Sequence, residues 1–407
     1  MGYRGSKSEI FNKMLTTFDP QPNQVSVKEQ RVDGSWDLLK STAPSASKCK
    51  SLRCTLTGFE RNHQVKIPSK QLNNRLFYST QVQQPQIDLN KQNIEPWFIT
   101  GFTDAEGCFS IKIQPNAKLK TKWRVRPVFS ITLHIKDAFL LEAIKNSLGV
   151  GNISKSSKTV IFAVDSIKEI PVILNHFDNY PLLTQKLSDY LIFKECFEII
   201  KRNDHLSEKG LLELISLKSS LNLGLPANLK LAFPNVIAKD RPQYKFKGIS
   251  NPFWISGFVS GEGSFHIVVR KPENKSITGE VFARFSIHLN VRDIAVLESL
   301  TSYFKLTVQQ SPDSVLTDKK VTILKNSASL QVKKLYDNLN IIIPFFDKYS
   351  ILGMKSMDFK DFKKVCYIIK TKEHLSSQLV LNKILEIKSG MNLNRGSILI
   401  KEEDKEI

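Results

Sequence analysis

The stretch FITGFTDAEGCF, Phe98 to Phe109, returns as WISGFVSGEGSF, Trp254 to Phe265. Gly101 and Gly257 stand 156 positions apart (257 − 101), and so do Glu106 and Glu262 (262 − 106). Each copy follows a proline and an aromatic residue, Pro96-Trp97 and Pro252-Phe253. A phrase repeated in register at that spacing divides the chain into two copies of one unit of ordinary domain size, roughly 150 residues.

The rest of the unit repeats as well. After Gly107, the residues Phe109, Ile111 and Ile113 alternate with Ser110, Lys112 and Gln114. In WRVRPVFSITLHI, Val125, Phe129, Ile131 and Leu133 fall on one side; Arg124, Arg126, Ser130, Thr132 and His134 fall on the other. Period two describes half-buried strands, so these runs predict a long hairpin with Pro127 at a bulge or an edge. KDAFLLEAIKNSLG reads as an amphipathic helix stopped at Gly149, followed by two short strands. A helix broken at Pro181 and a long helix, LSDYLIFKECFEIIK, complete the set. GSFHIVVRK, GEVFARFSIHLN, RDIAVLESLTSYFK and KSMDFKDFKKVCYIIK reproduce the order, with LHIKD answering HLNVRD and YPLLTQK answering YSILGMK. The expected layout is a poorly structured basic extension over 1–94, a first domain over 95–235, a linker over 236–250, a second domain over 251–397 and a charged tail over 398–407.

Lys and Arg number 59 against 39 Asp and Glu, a formal charge of +20. That excess suits a polyanion, nucleic acid before an anionic membrane. No run approaches the ~18 apolar residues of a membrane span. The five cysteines, Cys49, Cys54, Cys108, Cys196 and Cys366, have no zinc-ligand spacing, and neither structural zinc nor a disulfide framework is expected.

The repeated phrase reads as a helix that begins at proline and ends before Gly107 or Gly263. Gly101 and Ala105 share one face, as do Gly257 and Gly261, so the two helices can approach closely. A glycine inside a helix costs about 1 kcal/mol, which close packing offsets. Glu106 and Glu262 then meet at neighbouring helix C-termini, where both the mutual repulsion and the helix dipoles oppose them. A shared divalent cation would reconcile them, since Mg²⁺ takes oxygen ligands and activates water toward a phosphodiester. The polar sheet faces offer Lys112, Gln114, Arg124, Arg126, Ser130 and Thr132 in the first copy. In the second they offer Ser264, His266, Arg270, Arg284, Ser286 and His288. Arg and Gln read base edges along a groove and lysines hold phosphates, so both sets are candidate DNA contacts.

ITGFTDAEG and ISGFVSGEG, with LHIKD, YPLLTQK, NLGLP and IKSGMN, resemble the signature segments of the two-repeat LAGLIDADG homing endonucleases, those of fungal mitochondrial introns above all. The resemblance runs from about Pro96 to Arg395. It implies an α+β fold of duplicated αββαββα domains about a pseudo-twofold axis, forming a saddle-shaped DNA-binding surface. It implies cleavage of both strands of a long target across the minor groove, leaving short 3′ overhangs, by a monomer resident in mitochondria. Carried over, Glu106 and Glu262 become catalytic metal ligands, with the backbone carbonyls of Ala105 and Gly261 as further ligands. Lys186 and Lys355 match basic positions beside the cleavage centre. The expected cofactor is Mg²⁺, with Mn²⁺ able to substitute and Ca²⁺ binding without supporting efficient cleavage. The second motif departs from the first, with Ser260 and Gly261 in place of Asp104 and Ala105, yet it keeps the acid. The same scaffold also serves maturases, which bind their own intron RNA and assist splicing with or without DNA cleavage, and this is the alternative reading.

Overall fold

Two helices set the architecture, and their ends are fixed locally. In helix α1 (Pro96–Glu106) the proline opens the first turn and the Glu95 carboxylate accepts from the Trp97 amide at 3.4 Å. In its counterpart (Pro252–Glu262) Asn251 accepts from the Phe253 amide at 2.8 Å. The computed structural model describes residues 26–30, 36–40, 94–270, 280–306, 321–392 and 395.

The glycines explain why the two helices lie together. A Cβ at Gly101 would overlap the Trp254 carbonyl oxygen and stand 2.9 Å from the Phe258 nitrogen. A Cβ at Gly257 would overlap the Phe98 carbonyl and stand 2.9 Å from the Phe102 nitrogen. Backbone thus meets backbone at both crossings, an approach that only a residue without a side chain permits. As expected, Gly107 and Gly263 end the helices, and they do so without a left-handed cap. Their φ values are −72° and −72°, in extended backbone that runs straight into a strand. Glycine is needed there because a Cβ would strike Thr103 or Val259.

The first domain continues through β3 (Gly107–Pro115), β4 (Trp123–His134), α2 (Ala138–Leu148), β5 (Asn152–Lys155), β6 (Thr159–Val164), α3 (Ile170–Asn179), α4 (Lys186–Lys201), α5 (Glu208–Ser219) and α6 (Ala227–Ala232). Its antiparallel sheet has the order β3-β4-β6-β5. The second domain follows α7 (Pro252–Glu262) with β7 (Gly263–Val269), β8 (Val281–Asn290), α8 (Ile294–Leu306), β9 (Thr322–Leu324) and β10 (Ser327–Val332). A π turn leads into α9 (Ile343–Lys348), and α10 (Lys355–Thr371) and α11 (Gln378–Ser389) close it. Its sheet has the matching order β7-β8-β10-β9. Gly107 pairs with Ile131 and Gly263 with Ile287, so the two hairpins share one register. β6 begins to pair with β4 only at Phe129, which leaves Pro127 on a stretch with one neighbour, as its missing N–H requires.

Each sheet buries its apolar face under helices. Phe109 meets Phe129, Phe177, Tyr190 and Phe193 at 5.2–5.5 Å between ring centroids. Phe265 meets Phe285, Phe359 and Phe362 at 5.2–5.3 Å in the second core. The cores are not strictly private. Leu183, from the loop before α4, is buried in the second core, and Leu352, from the loop before α10, packs against the first. The segment read as a linker lies on the first domain: Ser188 donates to the Pro242 carbonyl at 2.9 Å, and Arg241 meets Asp189 at 2.8 Å. Within 1–94 the described residues before Ile94 are one antiparallel pair, β1 (Ser26–Gln30) with β2 (Trp36–Lys40), in a unit of its own. The remainder of that extension and the tail at 398–407 lie outside the described residues. No described helix is long and apolar enough to cross a membrane.

Candidate functional site

Helices α1 and α7 end on Glu106 and Glu262, both half-buried, and both line one cleft of about 240 Å³ with Asp104, Lys186, Arg292 and Asp293. Glu106 leans across the helix pair: the Cβ position at Gly261 lies 3.4 Å from its Oε1. Only a glycine in the second motif leaves that path open, a consequence of the departure at Gly261. Lys186 and Lys355 begin α4 and α10. Lys186 Nζ donates to the Gly107 carbonyl at 2.5 Å, and Lys355 Nζ donates to the Gly261 carbonyl. Burial pulls both ammonium pKa values below the ordinary lysine range, while Glu106 and Glu262 resist that shift in each case. Glu106 and Glu262 repel each other at these neighbouring helix ends. The structure places two fixed cations beside them, so the protein alone already offsets much of that repulsion.

The donor set still fits a divalent cation of the oxygen-seeking kind. Two carboxylates face an open cleft, and further backbone carbonyls end the same helices. Among the described residues no cluster of three or more His, Cys, Asp or Glu forms a closed protein cage. The fit is therefore to an ion whose coordination a phosphate and water would complete. The Gly261 carbonyl, one of the expected ligands, is engaged by Lys355. The Ala105 carbonyl lies in the same last turn of α1.

Asp104, two residues before Glu106 on α1, lines the same cleft. Its carboxylate accepts from the amides of Leu183 (2.8 Å) and Thr184 (3.2 Å), from the Thr184 hydroxyl (2.6 Å) and from the Trp254 indole (2.8 Å). Burial raises its pKa to about 6, and these donors limit the rise. At the 156-residue offset Ser260 replaces it, accepting from the Leu352 amide at 3.1 Å and donating to the Ser256 carbonyl at 2.7 Å. Phe98 correspondingly stands where the second copy has Trp254. The acid and the indole that satisfies it thus come from different copies.

The outer sheet faces carry most of the expected contact residues. Lys112, Gln114, Arg124 and Thr132 are exposed and Arg126 and Ser130 half-buried; Lys112 lies opposite Arg126, and Gln114 opposite Arg124. Arg126 also reaches Asp165 at 3.4 Å. In the second sheet Arg270 and His288 are exposed and Ser264, His266 and Arg284 half-buried. His266 and Ser264 share a hydrogen bond of 2.7 Å. Ser286 corrects the expectation of an exposed contact: it is on the outer face yet fully buried. A short side chain on a central strand, flanked by Ser264 and Gln331, lies beneath its longer neighbours Arg284 and His288. The two faces also differ in character. Val268 stands opposite Phe282 at the positions held in the first sheet by Lys112 and Arg126. Arg270 lies 5.1 Å from the Phe282 ring and 3.0 Å from Glu280.

Sequence reasoning missed the residues that brace this centre. Asn222 donates to the Phe109 carbonyl at 2.6 Å, and Asn392 to the Phe265 carbonyl at 3.2 Å. Asp189 and Asp358, each three residues past a site lysine, accept from the Asn222 and Asn392 amides and from Arg241 and Arg395. The signal was available in the paired tails of the two copies, which end in NLG and NLN.

Fold and site together define a class: a duplicated α+β protein with one acidic centre where two signature helices end, flanked by two polar sheet faces. The family profile described as LAGLIDADG endonuclease matches residues 99–197 and again 255–366. A Neurospora crassa protein described as probable intron-encoded endonuclease 3 is 34% identical over 394 residues, 92% of this chain and 67% of that protein. The solved LAGLIDADG meganuclease I-CpaMI bound to uncleaved DNA is 47% identical, with a TM-score of 0.68 over 73% of this chain and 99% of its own. I-SmaMI, bound to an uncleaved DNA target in the presence of calcium ions, is 37% identical at a TM-score of 0.68, covering 73% of this chain and 99% of its own. This chain belongs to the LAGLIDADG endonuclease family. It spans about two thirds of the length of the Neurospora relative.

Proposed function

We propose that this protein is a site-specific homing endonuclease that cuts both strands of a long DNA duplex at an intron insertion site, with a stagger, in a reaction dependent on a divalent cation. The observation that carries the reading is the shared cleft in which Glu106, Glu262 and Lys186 meet, with Lys355 bonded to Gly261 beside it. Glu106 and Glu262 would hold the ion, Mg²⁺ or Mn²⁺, with Ca²⁺ as a binding surrogate. When bound there, such an ion supplies Lewis acidity toward the scissile phosphate. Lys186 and Lys355 stabilise charge gathering on the departing oxygens, and their depressed pKa values ease proton transfer at Nζ. The sheet faces hold the duplex in register through Lys112, Gln114, Arg124, Arg126, Ser130, Thr132, Ser264, His266, Arg270, Arg284 and His288. One chain carries both half-site surfaces and so would act as a monomer, and its kinship with fungal intron-encoded proteins supports a place in the mitochondrion.

The test uses Glu106→Gln and Glu262→Gln, which keep shape and remove one charge each. Gel shifts in Ca²⁺ on DNA spanning the intronless junction should stay within a few-fold of wild type, while cleavage in Mg²⁺ falls by at least about 100-fold. Wild-type cleavage rates in both variants would sink the mechanism. A wild type that binds but never cuts, while promoting splicing of its own intron, would replace it with the maturase reading.

A further inference from the structure

The loops that carry the two site lysines are finished by the wrong domain. Asp293, in the turn after β8 of the second domain, accepts from the Gln185 amide at 3.0 Å, immediately before Lys186. Asp137, in the turn after β4 of the first domain, accepts from the Met354 amide at 2.7 Å, immediately before Lys355. These are the terminal aspartates of LHIKD and HLNVRD, a paired motif to which the proposed function gives no task. Apolar contacts cross in the same sense, with Leu183 in the second core and Leu352 against the first. Asp137 does not cap the helix that follows it in sequence, for it makes no side-chain bond to the start of α2. Gly353, at φ +76°, packs against the Asp137 carboxylate: a Cβ there would stand 2.8 Å from Oδ1.

We infer that Asp137 and Asp293 are positioning residues that reach across the pseudo-dyad, each setting the lysine of the opposite domain and so tying the two strand cuts together. The inference rests on the proposed nuclease reading for its consequence and on the hydrogen bonds alone for its geometry. An amide held by a carboxylate one residue before a helix fixes where the first side chain of that helix points. Lys355 Nζ must reach the Gly261 carbonyl and Lys186 Nζ the Gly107 carbonyl, so a loop displaced by an ångström withdraws the ammonium from the centre. Displacements of that size cost on the order of 100-fold in rate.

The experiment compares Asp137→Ala, Asp137→Asn, Asp293→Ala and Asp293→Asn in the full chain, on a duplex labelled separately on each strand. Asp137→Ala should slow one strand by on the order of 100-fold and Asp293→Ala the other, so that nicked intermediates of opposite polarity accumulate. The Asn variants keep an acceptor oxygen and should restore cutting to within several-fold. Gel shifts in Ca²⁺ should be unchanged throughout. Hydrogen exchange reads the contact itself: the Met354 amide should lose protection in Asp137→Ala and keep it in Asp137→Asn, and the Gln185 amide should follow Asp293 in the same way. Equal slowing of both strands, no slowing, or alanine variants with the amides still protected would overturn the inference. A wild type that cuts neither strand refutes the nuclease reading instead, and the exchange result then decides the crossed contacts alone.

Discussion

At the scale of single residues, two buried titratable groups oppose each other. Asp104 has a folded pKa of about 6, above its ordinary 3.8, because burial penalises its charge. Its neutral form is the one the fold prefers, so this contribution is present in full below pH 3.8 and is lost as pH rises through about 6. A shift of that size corresponds to about 3 kcal/mol. His176 shares a 3.2 Å hydrogen bond with Thr100 and is held at about 4 by burial, so its contribution has the opposite sign: present above pH 6.5, lost as pH falls through 4. The two act in opposite directions over nearly the same pH range, so a difference between wild type and a variant is needed to separate them. Urea midpoints of wild type and Asp104→Asn, followed from pH 4.5 to 7.5, should diverge with pH, the wild type losing ground relative to the variant as pH rises. A constant offset would show that Asp104 is ionised throughout.

At the scale of elements, the helix pair is the joint of the molecule. Gly101→Ala or Gly257→Ala places a methyl group into the partner's backbone, which no rotamer can clear. Each should cost about 3 kcal/mol or more in urea unfolding. Gly149→Ala is the contrast, since nothing lies within 4 Å of its Cβ position, and its left-handed φ of +72° alone should cost about 1 kcal/mol. A Gly101→Ala protein as stable as Gly149→Ala would mean that the helices do not touch as described. These helices were legible in the sequence because close packing leaves a periodic trace of small residues. The hairpins were legible because one face is wet, and Phe109, Ile111 and Ile113 had to alternate with Ser110 and Lys112. The loops at Leu183–Gln185 and Leu352–Met354 were not, since their partners are distant in sequence, Asp104 and Ser260 within the domain and Asp293 and Asp137 across the dyad, and leave no local pattern. Ser286 failed for a related reason: alternation assigns a side, while exposure on that side depends on how tall the neighbours are.

At the scale of the whole molecule, charge governs encounter and pairing governs identity. Target binding should weaken steeply with salt as lysines and arginines displace counterions from phosphates. Lys112→Ala should lower the salt slope by about 1. Lys209→Ala, on α5 in the helical layer, should leave it unchanged, and equal slopes would mean that the first sheet's outer face is not the one that meets DNA. The Asp104–Trp254 hydrogen bond then has a consequence for descent. Two first domains brought together would set Asp104 against Phe98, a buried acid without its indole donor; two second domains would set Trp254 against Ser260. Each half has drifted into needing the other and not itself. A lineage that has taken this step cannot easily return to a symmetric ancestor, and halves exchanged between relatives will join only where this acid and this indole travel on opposite sides of the cut.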